Sequence, residues 1–105
     1  MPTKYGKPPS SFKLLSASML KPLWTKHKNG EYISDIDAFY PLSFGLFTSY
    51  TISFVYKAKT GKPCLSVFYG ISGEAENFKD LSALLASDWI GGHIKNKKLY
   101  IRPND

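Results

Sequence analysis

The sequence predicts a small α+β domain: an antiparallel sheet of about four to six strands, covered on one face by a helix around residues 74–87, with a short N-terminal helix. Three observations predict it. In residues 47–58, Tyr50, Ile52, Phe54 and Tyr56 alternate with Ser49, Thr51, Ser53 and Val55, the period of a strand with one buried face. Residues 64–71 repeat the design, Leu65, Val67, Tyr69 and Ile71 alternating with Cys64, Ser66, Phe68 and Gly70, after a turn at 59–63. Ala75, Phe78, Leu81, Leu84 and Leu85 then form one apolar stripe at helical spacing. The length, 105 residues, suits one domain and leaves no room for a second.

The elements follow in chain order. Residues 1–10 hold three prolines and a glycine without apolar periodicity, which predicts a flexible basic arm ahead of a single domain at 11–105. From Ser10 or Ser11, either a good N-cap, Phe12, Leu15 and Met19 predict a helix that stops before Pro22. Asn29-Gly30 is a strong hairpin-turn signal, so residues 24–36 are expected to fold as two strands with Lys28 opposite Glu31. Pro41 and Gly45 interrupt residues 38–46, which read as a packed connection. In residues 47–71 the two alternating strands pool their apolar faces, leaving Ser49, Thr51, Ser53, Ser66 and Phe68 on the opposite surface. Glu74 and Glu76 suit the positive end of a helix that Gly91-Gly92 ends. Residues 93–103 read as a last hairpin turning at Asn96-Lys97.

Charge is distributed unevenly. The formal net charge is +6, and residues 1–30 alone contribute that much, with six lysines and no acid. Beyond them, Lys57, Lys59 and Lys62 form a second basic cluster, and Lys95, Lys97, Lys98 and Arg102 a third, separated by acidic stretches. Such clusters concentrate anions, phosphate backbones among them, although a basic surface also serves solubility alone. All but one of the fourteen basic residues are lysine. Fork-like reading of base edges favours arginine, so any nucleic acid is expected to be held by its backbone.

Several function classes drop out. The apolar run at 38–47 is about half the roughly 20 residues that cross a bilayer, so no membrane span is expected. The N-terminal residues lack the pattern of a secretory signal, and the single cysteine, Cys64, forms no internal disulfide, so a cytoplasmic setting is expected. His27 and His93 stand 66 residues apart, with no Cys or His at ligand spacing, so neither a metal nor another cofactor is expected. Phosphate-cradling glycine motifs are missing. The chain therefore reads as a non-enzyme; the catalytic alternative is a metal-dependent nuclease using Glu31, Asp35 and Asp37.

The segment from Phe78 to Arg102, read as helix, Gly-Gly and basic hairpin, resembles the closing part of a LAGLIDADG homing endonuclease half. The resemblance covers under a quarter of the chain and lacks that family's acidic helix motif. It implies a curved sheet that grips DNA, with neither the nuclease activity nor the metal.

The resulting expectation is a small basic module that binds single-stranded or duplex nucleic acid with weak sequence preference, through Lys26, Lys28, Lys57, Lys59, Lys62, Lys95, Lys97, Lys98 and Arg102. Trp24 is the expected stacking ring. All three clusters are expected to meet on one side of the domain. The alternative is a protein-binding module, such as an inhibitor or assembly subunit of a phage or mobile element, whose lysines meet an acidic partner surface; a homo-oligomer is compatible with either.

Overall fold

Period-two alternation in the middle of the chain decides which side of the sheet is buried. The computed structural model describes residues 12–41 and 47–101, so the expected N-terminal arm and Arg102 lie outside the described residues. The elements are β1 (Lys13–Leu14), α1 (Ala17–Lys28), β2 (Ile36–Pro41), β3 (Phe47–Tyr56), β4 (Pro63–Tyr69), β5 (Glu74–Phe78), α2 (Leu81–Ala86), α3 (Ile90–Lys95) and β6 (Tyr100–Ile101). The strands form one antiparallel sheet in the order β1-β6-β2-β3-β4-β5, so the domain is α+β.

Tyr50, Ile52 and Phe54 of β3 pair with Tyr69, Val67 and Leu65 of β4, and all six are buried. Ala38 of β2 extends this face on one side and Phe78 of β5 on the other. Leu20 of α1, Leu81 and Leu84 of α2, and Ile90 and Ile94 of α3 belong to the same core. Each such side chain contributes about 1.5–3 kcal/mol by leaving water. The helices thus cover one face and leave the other open, with Asp37, Ser49, Thr51, Ser53, Ser66, Phe68 and Asn77 on it. On this open face Phe12, Phe39 and Phe47 gather, the ring of Phe12 lying 5.4 Å from Phe39 and 6.3 Å from Phe47.

Five expected elements differ, the first being the N-terminal helix, whose early residues Lys13–Leu14 form β1 against β6. Residues 24–28 are helical: α1 starts after Ser16, takes in Pro22, and stops at Asn29-Gly30. Gly30, at φ 88°, donates to the carbonyl of His27 (3.0 Å) and Glu31 donates to that of Lys26 (3.0 Å), the paired bonds of a Schellman stop. The glycine that favours a hairpin thus serves a helix end instead. Residues 38–41 of the expected connection join Ile36 and Asp37 in β2 (Ile36–Pro41), because Ile36, Ala38 and Tyr40 face the helices. The covering helix begins at Leu81, where Asp80 accepts from the Ala83 amide (2.8 Å), while Glu74–Phe78 are an edge strand paired only to β4 among the described residues. Finally, 93–95 are helical and only Tyr100–Ile101 are extended, so the helix, Gly-Gly and hairpin pattern behind the endonuclease resemblance does not form. Gly91 lies inside α3 rather than ending a helix; a Cβ there would fall 2.4 Å from the Leu85 carbonyl oxygen, so its absence lets α3 approach α2.

Candidate nucleic-acid interface

Two of the three lysine clusters come from segments about 30 residues apart and meet at one end of the sheet. Lys26 and Lys28 occupy the last turn of α1, where their charge also suits the negative end of the helix dipole. Lys57, Lys59 and Lys62 belong to the β3–β4 connection, which is closed by the Lys57 amide on the Lys62 carbonyl (2.8 Å) and the Gly61 amide on the Lys57 carbonyl (2.7 Å). All five are exposed, and none has an ion-pair partner among the described residues.

A buried histidine joins the two segments. His27 is only 1 % exposed, and its Nε2 lies 2.8 Å from the Val55 carbonyl oxygen. A carbonyl only accepts, so Nε2 carries the proton and donates. In return the Tyr56 hydroxyl donates to the His27 carbonyl (3.1 Å), which also accepts from the Gly30 amide at the helix stop. The His27 ring also packs 4.5 Å from Tyr56 and 5.6 Å edge-on to Phe54. These contacts clamp the end of α1 to the end of β3 and hold the two basic clusters together.

The third cluster lies elsewhere. In the β2–β6 register, Tyr100 sits opposite Phe39 and Ile101 opposite Ala38, which runs Lys98 toward Pro41 and hence toward the start of β3. Lys57 follows the other end of β3, about 30 Å away at roughly 3.3 Å per residue over ten residues. Lys95, Lys97 and Lys98 therefore do not join the other two clusters, and the expectation of a single shared face fails. At that far end His93 packs between Tyr40 (4.5 Å) and Tyr50 (5.8 Å). Burial, then the Lys98 charge, holds it below the ordinary histidine range. Burial pushes the Tyr50 hydroxyl up, with a smaller push from Tyr40. Tyr69 is raised more strongly, first by burial and then by its hydrogen bond to Glu76.

Trp24 is half-buried against the core, 5.6 Å from His27, with the Lys28 ammonium 5.9 Å from its ring centre. Its surface is thus taken up by packing and a cation–π contact. Among the described rings Tyr32, 89 % exposed, follows the end of α1; Tyr56 is 48 % exposed although it packs on His27, and Phe68, 47 % exposed on the open face, lies about 20 Å along β4 from Lys62. Sequence reasoning also missed Lys79 and Asn77. They line a cleft of about 480 Å³ with Val55, Tyr56, Lys57, Ala58, Cys64 and Phe78. Reading 74–87 as one helix hid the β4–β5 pairing that brings Lys79 beside Lys57.

Glu31 and Asp35 lie in the loop before β2, whereas Asp37 accepts from the Thr51 hydroxyl (3.3 Å) on the open face. Among the described residues no group of three or more His, Cys, Asp or Glu is placed to hold a metal ion, so the carboxylate trio of the nuclease alternative does not assemble. No described helix is long and apolar enough to cross a membrane. No protein-family model, curated protein or solved structure matches the chain.

Proposed function

We propose that the protein binds the phosphate backbone of nucleic acid, with weak sequence preference, through the end of the sheet that carries Lys26, Lys28, Lys57, Lys59 and Lys62. One observation carries the reading: the His27–Tyr56 clamp brings five lysines without carboxylate partners among the described residues to one place. Isolated basic residues that only confer solubility need no such convergence. Lysine rather than arginine is the expected choice where charge, not base identity, is recognised. The buried free thiol of Cys64 suits a cytoplasmic setting.

The test is fluorescence anisotropy with labelled single-stranded and duplex oligonucleotides at 50 and 200 mM salt. Each neutralised phosphate steepens the logarithmic salt dependence by about 0.7 for single strands, so four contacts predict roughly a 50-fold loss over that range. Absence of micromolar binding at 50 mM, or binding indifferent to salt, overturns the proposal. A second reading, a protein-binding module facing an acidic partner, draws on the Phe12, Phe39 and Phe47 group on the open face. It predicts no oligonucleotide affinity and loss of partner binding on replacing Phe47.

A further inference from the structure

The cleft beside Lys57 is built differently from the rest of the basic end. In the strand registers, Val55 of β3 pairs with Cys64 of β4, and Ser66 of β4 pairs with Asn77 of β5. The positions Val55, Cys64 and Asn77 all lie on the open face, and Lys57 and Lys79 follow two residues on from Val55 and Asn77. The result is a partly apolar cleft, with Val55 and Cys64 from the open face and Phe78 from the core side, that Lys57, Lys79 and Asn77 also line. Neither lysine has an ion-pair partner among the described residues. Two lysines and an asparagine lining one cleft offer it donors that match a phosphate, which accepts on every oxygen.

What lies next to the cleft narrows the ligand. Along β4 the open-face positions run Cys64, Ser66 and Phe68, so the ring stands about 13 Å from the cleft floor, beyond the hydroxyls of Ser53 and Ser66. Phe68 is half-exposed on an uncovered sheet face, which is the setting in which an aromatic ring can stack on an unpaired base. Free phosphate or a folded acidic protein would use the charges but not the ring; a duplex keeps its bases stacked on one another. We propose that Lys57, Lys79 and Asn77 form a phosphate subsite for single-stranded nucleic acid, with a neighbouring base on Phe68. This rests on the backbone-binding reading above and assigns a polarity to it, from charged cleft to aromatic face.

The experiment measures anisotropy of labelled oligothymidine, with and without a 5′-phosphate, from 50 to 200 mM salt. It compares the wild type with Lys57→Ala/Lys79→Ala, Phe68→Ala and, as a control at the far end, Lys95→Ala/Lys97→Ala/Lys98→Ala. All the substituted side chains are exposed, and a thermal melt checks each fold. Losing one phosphate contact flattens the salt slope by about 0.7, which amounts to about an eightfold weakening at 50 mM and threefold at 200 mM when referred to 1 M salt. Phe68→Ala is expected to weaken binding about fivefold or more, equally at both salt concentrations, because stacking releases no counterions. Equal effects on both oligonucleotides identify an internal phosphate; an effect confined to the 5′-phosphorylated strand identifies a terminal one, and either supports the subsite. If the wild type binds but the Lys57/Lys79 variant keeps its affinity and slope, the subsite is refuted while the basic end stands. If the wild type binds neither strand at 50 mM, both fall.

Discussion

The contact between His27 and the end of β3 is where stability and the proposed interface meet, and His27→Ala tests it. Removing the imidazole leaves the Val55 carbonyl without its donor, a cost of about 1–3 kcal/mol where water cannot replace it. It also deletes ring contacts at 4.5 Å with Tyr56 and 5.6 Å with Phe54, of which each aromatic pair contributes about 0.5–1.5 kcal/mol. Together about 3 kcal/mol is expected, a large part of the roughly 5–15 kcal/mol that such a domain retains. With a urea m-value near about 1.5 kcal/mol/M, the unfolding midpoint should fall by about 2 M with m unchanged. Tyr56→Phe, which removes only the hydroxyl that bonds the His27 carbonyl, should cost about 1 kcal/mol. The double variant should be less destabilised than the sum, by about 0.5 kcal/mol or more, because losing the imidazole already loosens the helix end whose carbonyl the Tyr56 hydroxyl holds. A midpoint shift under about 0.5 M for His27→Ala refutes the clamp. So would strict additivity with Tyr56→Phe.

Gly91→Ala should be destabilising by about 2 kcal/mol, because its Cβ would fall 2.4 Å from the Leu85 and 2.6 Å from the Leu84 carbonyl oxygens and α3 must shift away. That corresponds to a melting point about 8–16 °C lower, whereas Gly92→Ala, with open space around it, should be neutral or stabilising by up to about 1 kcal/mol; equal effects at the two positions would show that the helix approach is not tight. His93, held below its ordinary pKa by burial and then by Lys98, binds its proton more readily when the chain is unfolded. Its contribution is therefore fully present above about pH 6.5 and is lost as the pH falls from there through the lowered folded-state value. Urea midpoints from pH 7.5 to 5 should decline in the wild type and decline less in His93→Gln; parallel curves would rule His93 out as the cause.

The sheet's two faces were legible because the alternation in β3 and β4 is long and uninterrupted: of the expected inward residues from Tyr50 to Tyr69 all are buried except Tyr56, which ends β3 and is half-exposed. Ile71, the last of that pattern, is exposed, because the chain has already left the strand at Gly70. Local signals misled where one residue type serves two backbone geometries. Asn29-Gly30 suits a hairpin turn and a helix stop alike, and only the fit of His27 against β3 selects the second. Ala75 fits a helical stripe by spacing, yet it is exposed on the open face of β5, while Asp80 caps the true helix. Charge clusters were visible as composition, but their convergence depends on strand order. Nothing local in Lys95, Lys97 and Lys98 reveals that β6 returns alongside β2 and leaves them at the opposite end. Lys79 and Asn77 were hidden for the same reason, since their place beside Lys57 follows from β5 joining β4.

The short acidic strand at the rim also bears on whether the molecules stay apart in concentrated solution. Two copies zipping together along β5 about a two-fold axis must align residues of like parity. A register centred on Glu76 sets that carboxylate against its own symmetry mate, and one centred on Ala75 sets Glu74 against Glu76. Both arrangements force anions together along the newly made ladder, and the first is the one that pairs the whole strand, so full-length zipping of two copies through this edge is disfavoured.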